Sequence, residues 1–130
     1  MAITHRLTEA AALLGVSDDT LRRWQQQGRF RPVEVDGRQG IDGVDLARLA
    51  VEHAEAPEHG PVHTSARNRL RGVVTQVTTD TVMAQVELVC GPYRVVSLVS
   101  REAVEDLGLE PGAVAYATVK STNVSLEVSP

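Results

Sequence analysis

The chain has 130 residues, enough for one domain of ordinary size or two small ones. It is 42% hydrophobic but only 3% aromatic, so its core must be aliphatic; the single cysteine, Cys90, excludes an intrachain disulfide framework or a multi-cysteine metal site and suits a reducing cytosol. Net charge is −4, and neither half is a basic block: residues 1–64 carry 7 Arg against 10 Asp and Glu, and residues 65–130 carry 6 Lys and Arg against 7 Asp and Glu. Anion binding must therefore come from local placement of charge.

Apolar residues recur at helical spacing up to about residue 55. "LTEAAALLGV" predicts a short helix with Thr8 as N-cap, Leu7 as staple, and Ala11, Leu14 and Val16 facing a core. "SDDTLRRWQQQG" predicts a second helix, capped by Ser17 and stopped by Gly28. Asp18 and Asp19 sit in its first turn, where the helix dipole favours negative charge. Leu21 and Trp24 face inward, leaving Thr20, Arg22, Arg23, Gln26 and Gln27 outside. "RFRPVEVDGRQGI" reads as a hairpin turning at Asp36-Gly37, and "DGVDLARLAVEHA" as a helix with Leu46, Leu49 and Ala50 on its apolar face. Residues 55–63, rich in Pro and Gly, read as a linker between a domain at 1–54 and another at 64–130.

In the second part Val and Thr alternate with period two. Strands are predicted near 70–79, 81–90, 93–99, 113–120 and 123–128, with a turn at Gly91-Pro92. "SREAVEDLGL" interrupts them as a helix capped by Ser100, with Val104 and Leu107 inward and Gly108 as its stop. The expected fold class is α+β: a winged helix-turn-helix followed by a small OB-like β-barrel.

The second helix offers chemistry suited to a DNA groove. Arg fits guanine O6/N7 and Gln fits adenine, while Arg29, Arg31 and Arg38 of the hairpin can reach phosphates. The alternative is a three-helix packing module with solvated arginines. The run from Leu7 to Trp24, Leu-Thr-x-x-Ala-x-x-Leu-Gly-Val-Ser-x-x-Thr-Leu-x-x-Trp, resembles the winged helix-turn-helix of the MerR and excisionase group over residues 6–50. The resemblance implies DNA binding through Ser17, Thr20, Arg22, Arg23, Gln26, Arg29, Arg31 and Arg38. The long dimerising helix of MerR regulators does not follow here, so any dimer forms elsewhere.

"SARNRLRG" at 65–72 and "VKST" at 119–122 supply hydroxyls, guanidinium and ammonium groups and no acid. A site lined only by donors wants a tetrahedral oxyanion and not a metal cation. Lys120 is the only lysine, a compact ammonium in an otherwise all-Arg chain. "SARNRLRGVV", "VELVCG", "LVSREAVEDLGLEPG" and "ATVKSTNVSL" resemble the Mop (TOBE-type) domain of molbindins and molybdate-responsive regulators, over residues 64–128. That resemblance implies an OB-like barrel binding molybdate or tungstate, with no organic cofactor, at sites between subunits. It assigns Ser65, the Ala66 backbone, Arg67, Lys120 and Ser121 as donors, with Ser100 either a further donor or only a helix cap. With one such domain and not a tandem pair, a complete site requires self-association, as dimer to hexamer.

Other features point nowhere catalytic. His53, His59 and His63 have no acidic or cysteine partners completing a zinc site and read as solvated; Cys90 reads as a small core or edge residue and not a nucleophile. There is no Walker loop, nucleophile or general base, so the protein is not expected to be an enzyme. No apolar run approaches the ~20 residues of a bilayer span, and "AAALLGV" is too short for a signal peptide, so a cytoplasmic location without membrane partner is expected. The leading expectation is a molybdate-responsive transcriptional regulator; the alternative is an intracellular molybdate-binding or storage protein with little DNA-binding role.

Overall fold

The computed structural model describes residues 3–54 and 63–130, in two compact units spanning Met1–Ala56 and Pro57–Pro130. The expected linker, with His59, lies outside the described residues except for His63.

The first unit contains β1 (Thr4–Arg6), α1 (Leu7–Leu14), α2 (Asp18–Gln26), β2 (Val33–Val35), β3 (Arg38–Asp42) and α3 (Gly43–His53). Its antiparallel sheet has the order β1-β3-β2. The helices bury Ala10, Ala11, Leu14, Leu21, Trp24, Leu46 and Leu49 against Phe30 and Ile41, a core of mostly aliphatic side chains as composition requires. Ser17 caps α2: its Oγ accepts from the Thr20 N–H at 3.1 Å and meets the Thr20 hydroxyl at 2.9 Å. The hairpin turns at Asp36-Gly37, with φ of 52° and 76°. Two positive φ values define the type I′ turn that matches the twist of the flanking strands.

Two expectations for this unit fail. Thr8 is not the N-cap of α1; the helix begins at Leu7, and Arg6 caps it without a side-chain bond. The reason is β1, which pairs with β3 and runs straight into the helix, placing Thr8 inside the first turn. Ala50 is exposed, because α3 turns Leu46 and Leu49 inward.

The second unit is one curled antiparallel sheet, order β6-β5-β4-β7, from β4 (Asn68–Thr79), β5 (Met83–Cys90), β6 (Tyr93–Ser100) and β7 (Val114–Val119), with α4 (Arg101–Leu107) between the last two. Val74, Ala84, Val86, Leu88, Cys90 and Val104 form its core. Gly72 is required by close approach: a Cβ there would stand 2.5 Å from Cys90 Sγ and 2.7 Å from the Val89 carbonyl oxygen. Cys90 is buried, as a core role demands.

Leu107, expected inward, is 69% exposed. The chain reverses at Gly108, the Leu109 N–H donates to the Val104 carbonyl at 3.0 Å, and Leu109 packs on the core in its place. The strand expected at 123–128 does not form. Ser121–Asn123 makes a 3-10 turn, to which the Val124 N–H adds a bond to the Ser121 carbonyl at 3.3 Å, and the residues beyond join no strand, leaving Leu126 92% and Val128 93% exposed. A strand needs a neighbouring edge, and within one chain none reaches this segment. The sheet is consequently a half-barrel with β6 and β7 as free edges. An apolar groove of about 510 Å³ opens between them, lined by Val86, Leu88, Val95, Val99, Leu109 and Ala115 among others.

Candidate functional site

In the first unit, the helix-turn-helix exposes Arg22, Arg23 and Gln26 on α2 and Arg31 and Arg38 at the hairpin. Among the described residues, these four arginines have no hydrogen-bond or ion-pair partner. Their charge is available to an external anion. Ser17 and Thr20 are spent on capping each other. Arg29 is also engaged internally: its guanidinium lies 4.2 Å over the Trp24 ring and its Nη2 donates to Glu52 Oε2 at 3.1 Å. Arg48 joins the same carboxylate at 3.2 Å and donates to the Arg29 carbonyl at 2.6 Å. The hydrogen bond from Arg29 holds the Glu52 carboxyl below its ordinary value, with Arg48 adding to the effect and burial opposing it.

Two features of this face escape periodicity. Gln25 Nε2 donates to Gln39 Oε1 at 3.4 Å, tying α2 to the hairpin. His53 is exposed, as expected of a solvated histidine, and also sets its ring edge on Trp24 with centroids 5.4 Å apart. Both are contacts between elements far apart in sequence, which residue spacing does not encode.

In the second unit, the register of β4 against β7 carries the site. Asn68 pairs with Val119, the last pair of that ladder, so "SAR" and "KS" enter from the same end of the sheet. Ser65, Arg67, Lys120 and Ser121 are exposed there and Ala66 is half-buried. Lys120 leads the 3-10 turn and Ser121 opens it. The Ala66 N–H donates to Thr64 Oγ1 at 3.1 Å, and Arg67 Nη1 donates to the Thr64 carbonyl at 3.3 Å. Thr64 thus takes the Ala66 N–H and one of the five guanidinium N–H groups of Arg67, leaving the others for an incoming anion. Thr64 carries no signal beyond its place next to "SARN". Arg69 stacks over Tyr116 at 3.8 Å on the neighbouring strand.

Ser100 is not brought to this cluster. It pairs with Met83 at the other end of the sheet, and its Oγ accepts from the Ala103 N–H at 3.0 Å as the cap of α4. β4 has 12 residues, so at about 3.3 Å per residue its two ends are separated by about 36 Å of strand. Among the described residues no group of His, Cys, Asp and Glu could hold a metal ion, and no helix is long and apolar enough to cross a membrane.

The comparisons divide at the same place. Residues 5–51 match the MerR HTH family regulatory protein model, and residues 64–126 match the TOBE domain model. Molybdenum-pterin-binding protein 3 of Clostridium pasteurianum is 41% identical over 63 residues, covering 48% of this chain and 93% of that protein. A probable molybdenum-pterin-binding protein of Haemophilus influenzae is 43% identical over 65 residues, covering 49% and 94%. Among solved structures, a molybdate binding protein from Sporomusa ovata superposes with a TM-score of 0.50 at 30% identity, over 52% of this chain and all (100%) of that one. The cytoplasmic molybdate-binding protein ModG, with molybdate bound, superposes with a TM-score of 0.51 at 43% identity, over 53% of this chain and 50% of its own. Through residues 64–126 the chain belongs to the TOBE-domain family, and it carries a MerR-type helix-turn-helix ahead of that domain.

Proposed function

We propose that this protein is a cytoplasmic, molybdate- or tungstate-responsive transcriptional regulator, in which residues 1–54 bind DNA, 55–63 link, and 64–130 bind the oxyanion and self-associate. The observation that carries the reading is the Asn68–Val119 pairing, which gathers a hydroxyl, a guanidinium and an ammonium, without an acid, at one end of the sheet. A tetrahedral dianion accepts from all of them. Ser65, the Ala66 N–H, Arg67, Lys120 and Ser121 serve as donors from one copy. Ser100, at the far end of its own chain, joins them only from a second copy. The free edges of β6 and β7, the apolar groove between them and the exposed tail at Leu126 and Val128 support self-association.

The four unpartnered arginines of the first unit support a DNA role, with Arg22, Arg23 and Gln26 facing the groove and Arg31 and Arg38 facing phosphates. The test has two arms. Calorimetry with molybdate, tungstate and sulfate measures the oxyanion site, and a gel shift on the DNA upstream of the protein's own gene, with and without molybdate, measures the response. Molybdate binding without any DNA binding at low salt would select the storage alternative. Equal affinity for sulfate would reduce the site to a generic anion patch.

A further inference from the structure

We propose that Asn68 is a positioning residue for the oxyanion site, a clamp that holds the Lys120–Ser121 turn against the Arg67 segment; this rests on the functional reading above. Asn68 directly follows Arg67 and opens β4. Its Nδ2 donates to the Val119 carbonyl oxygen at 3.1 Å, in a half-buried bond spanning 51 residues of sequence. That carbonyl belongs to the same planar peptide unit as the Lys120 N–H, so fixing one fixes the other. The location is where a fixture is needed. Asn68–Val119 is the last pair of the β4–β7 ladder, and strand ends open most easily. Beyond it Lys120 leaves the sheet, and the short turn that follows is closed by the Asn123 N–H donating to the Lys120 carbonyl at 2.9 Å. Without the side-chain bond the last rung frays, and Lys120 and Ser121 lose their fixed relation to Arg67. Asn68 itself keeps no contact with the anion. Its amide is turned to Val119, and it acts through the turn.

The bond also accounts for the residue type. An aspartate of the same shape would face a carbonyl with a second acceptor and would add a negative charge to a site made of donors. An alanine leaves the carbonyl open to water.

The experiment compares the parent with Asn68→Ala and Asn68→Asp. Thr75→Val serves as a control that removes a similar side-chain bond in the same sheet, from Thr75 Oγ1 to the Glu87 carbonyl at 3.3 Å. The first readout needs no ligand. Amide hydrogen exchange at Asn123 should accelerate about tenfold in Asn68→Ala and stay within about twofold of the parent in Thr75→Val, the effect of one hydrogen bond at that place. The second is calorimetry with molybdate, in which Asn68→Ala should weaken binding about tenfold and Asn68→Asp more, while Thr75→Val binds like the parent. In a Ser121→Ala background the further loss from Asn68→Ala should shrink to about twofold, because the two residues act on one element. Unchanged exchange at Asn123 overturns the clamp whatever the ligand does. So does parental affinity in Asn68→Ala, an equal loss in Thr75→Val, or losses that multiply fully with Ser121→Ala. A parent that binds no molybdate, with exchange at Asn123 still faster in Asn68→Ala, instead sinks the functional reading while leaving the clamp on the turn in place.

Discussion

Arg29 and Trp24 form a stacked pair, the guanidinium 4.2 Å above the indole, and the stack is fastened to α3 through Glu52. Trp24 lies in the core of the helix-turn-helix and Arg29 just beyond the end of α2, so the pair closes the core where the chain turns into the hairpin. Arg29, which reads from sequence as a phosphate contact, also lies as a lid on the aromatic ring.

Arg29→Ala is therefore expected to destabilise the first unit. The stack alone contributes about 0.5–1 kcal/mol. Trp24 is the only tryptophan, so its fluorescence reports this unit alone in a urea titration. Arg29→Lys should recover only part of the loss, since an ammonium lacks the planar face and the fork. A midpoint equal to the parent's in Arg29→Ala would show that the stack contributes nothing.

Acid should loosen the same corner. The folded-state value of Glu52 is lowered, first by the hydrogen bond from Arg29, so its stabilisation is complete above the ordinary value near 4.5 and is lost as the pH falls through the lower folded value. Asp80 behaves alike in the second unit: the N–H groups of Met83 and Val82 donate to its Oδ1 at 2.7 and 2.8 Å and lower its value below the ordinary 3.8. Glu52→Gln should flatten the acid limb of the Trp24 transition, and Asp80→Asn should flatten that of the circular dichroism signal while leaving the Trp24 transition unchanged. Identical acid limbs in parent and Glu52→Gln would assign the acid sensitivity to other carboxylates.

On DNA, the four unpartnered arginines should separate by role. Arg38→Ala, at the hairpin, should weaken all sequences alike and reduce the salt slope by about one. Arg22→Ala or Arg23→Ala should cost about 1–3 kcal/mol on the preferred site and relax selectivity at one base pair. Competition binding at several salt concentrations distinguishes them. Parental affinity in the Arg22→Ala, Arg23→Ala double variant would remove α2 from the interface.

The tail supplies the prediction on assembly. Leu126 and Val128 alternate on an unpaired segment and are almost fully exposed in one chain. Burial by a second copy would give each about 1.5–3 kcal/mol, too much to leave unused in an assembled form. A truncated protein of residues 63–130 should remain oligomeric in light scattering, and Leu126→Asp with Val128→Asp should dissociate it. An oligomer of unchanged mass in the double variant would place the interface elsewhere.

Local rules of the sequence were enough for much of this protein. The Ser17 cap, the Asp36-Gly37 turn and the Ser100 cap each depend on a few adjacent residues, and each stands where spacing and residue type put it. The two families are legible for the same reason, because their signatures are short runs read along the chain. Tertiary structure decided what depends on a distant partner. Thr8 lost its capping role because β1 pairs with β3, and Leu107 gave way to Leu109 because the chain reverses at Gly108. The residues after Asn123 have the alternation of a strand but lie along neither free edge of their own sheet, and period two specifies a face without specifying a neighbour. The Asn68 bond to Val119 and the Arg29 stack on Trp24 likewise became visible only when register and packing brought the partners together.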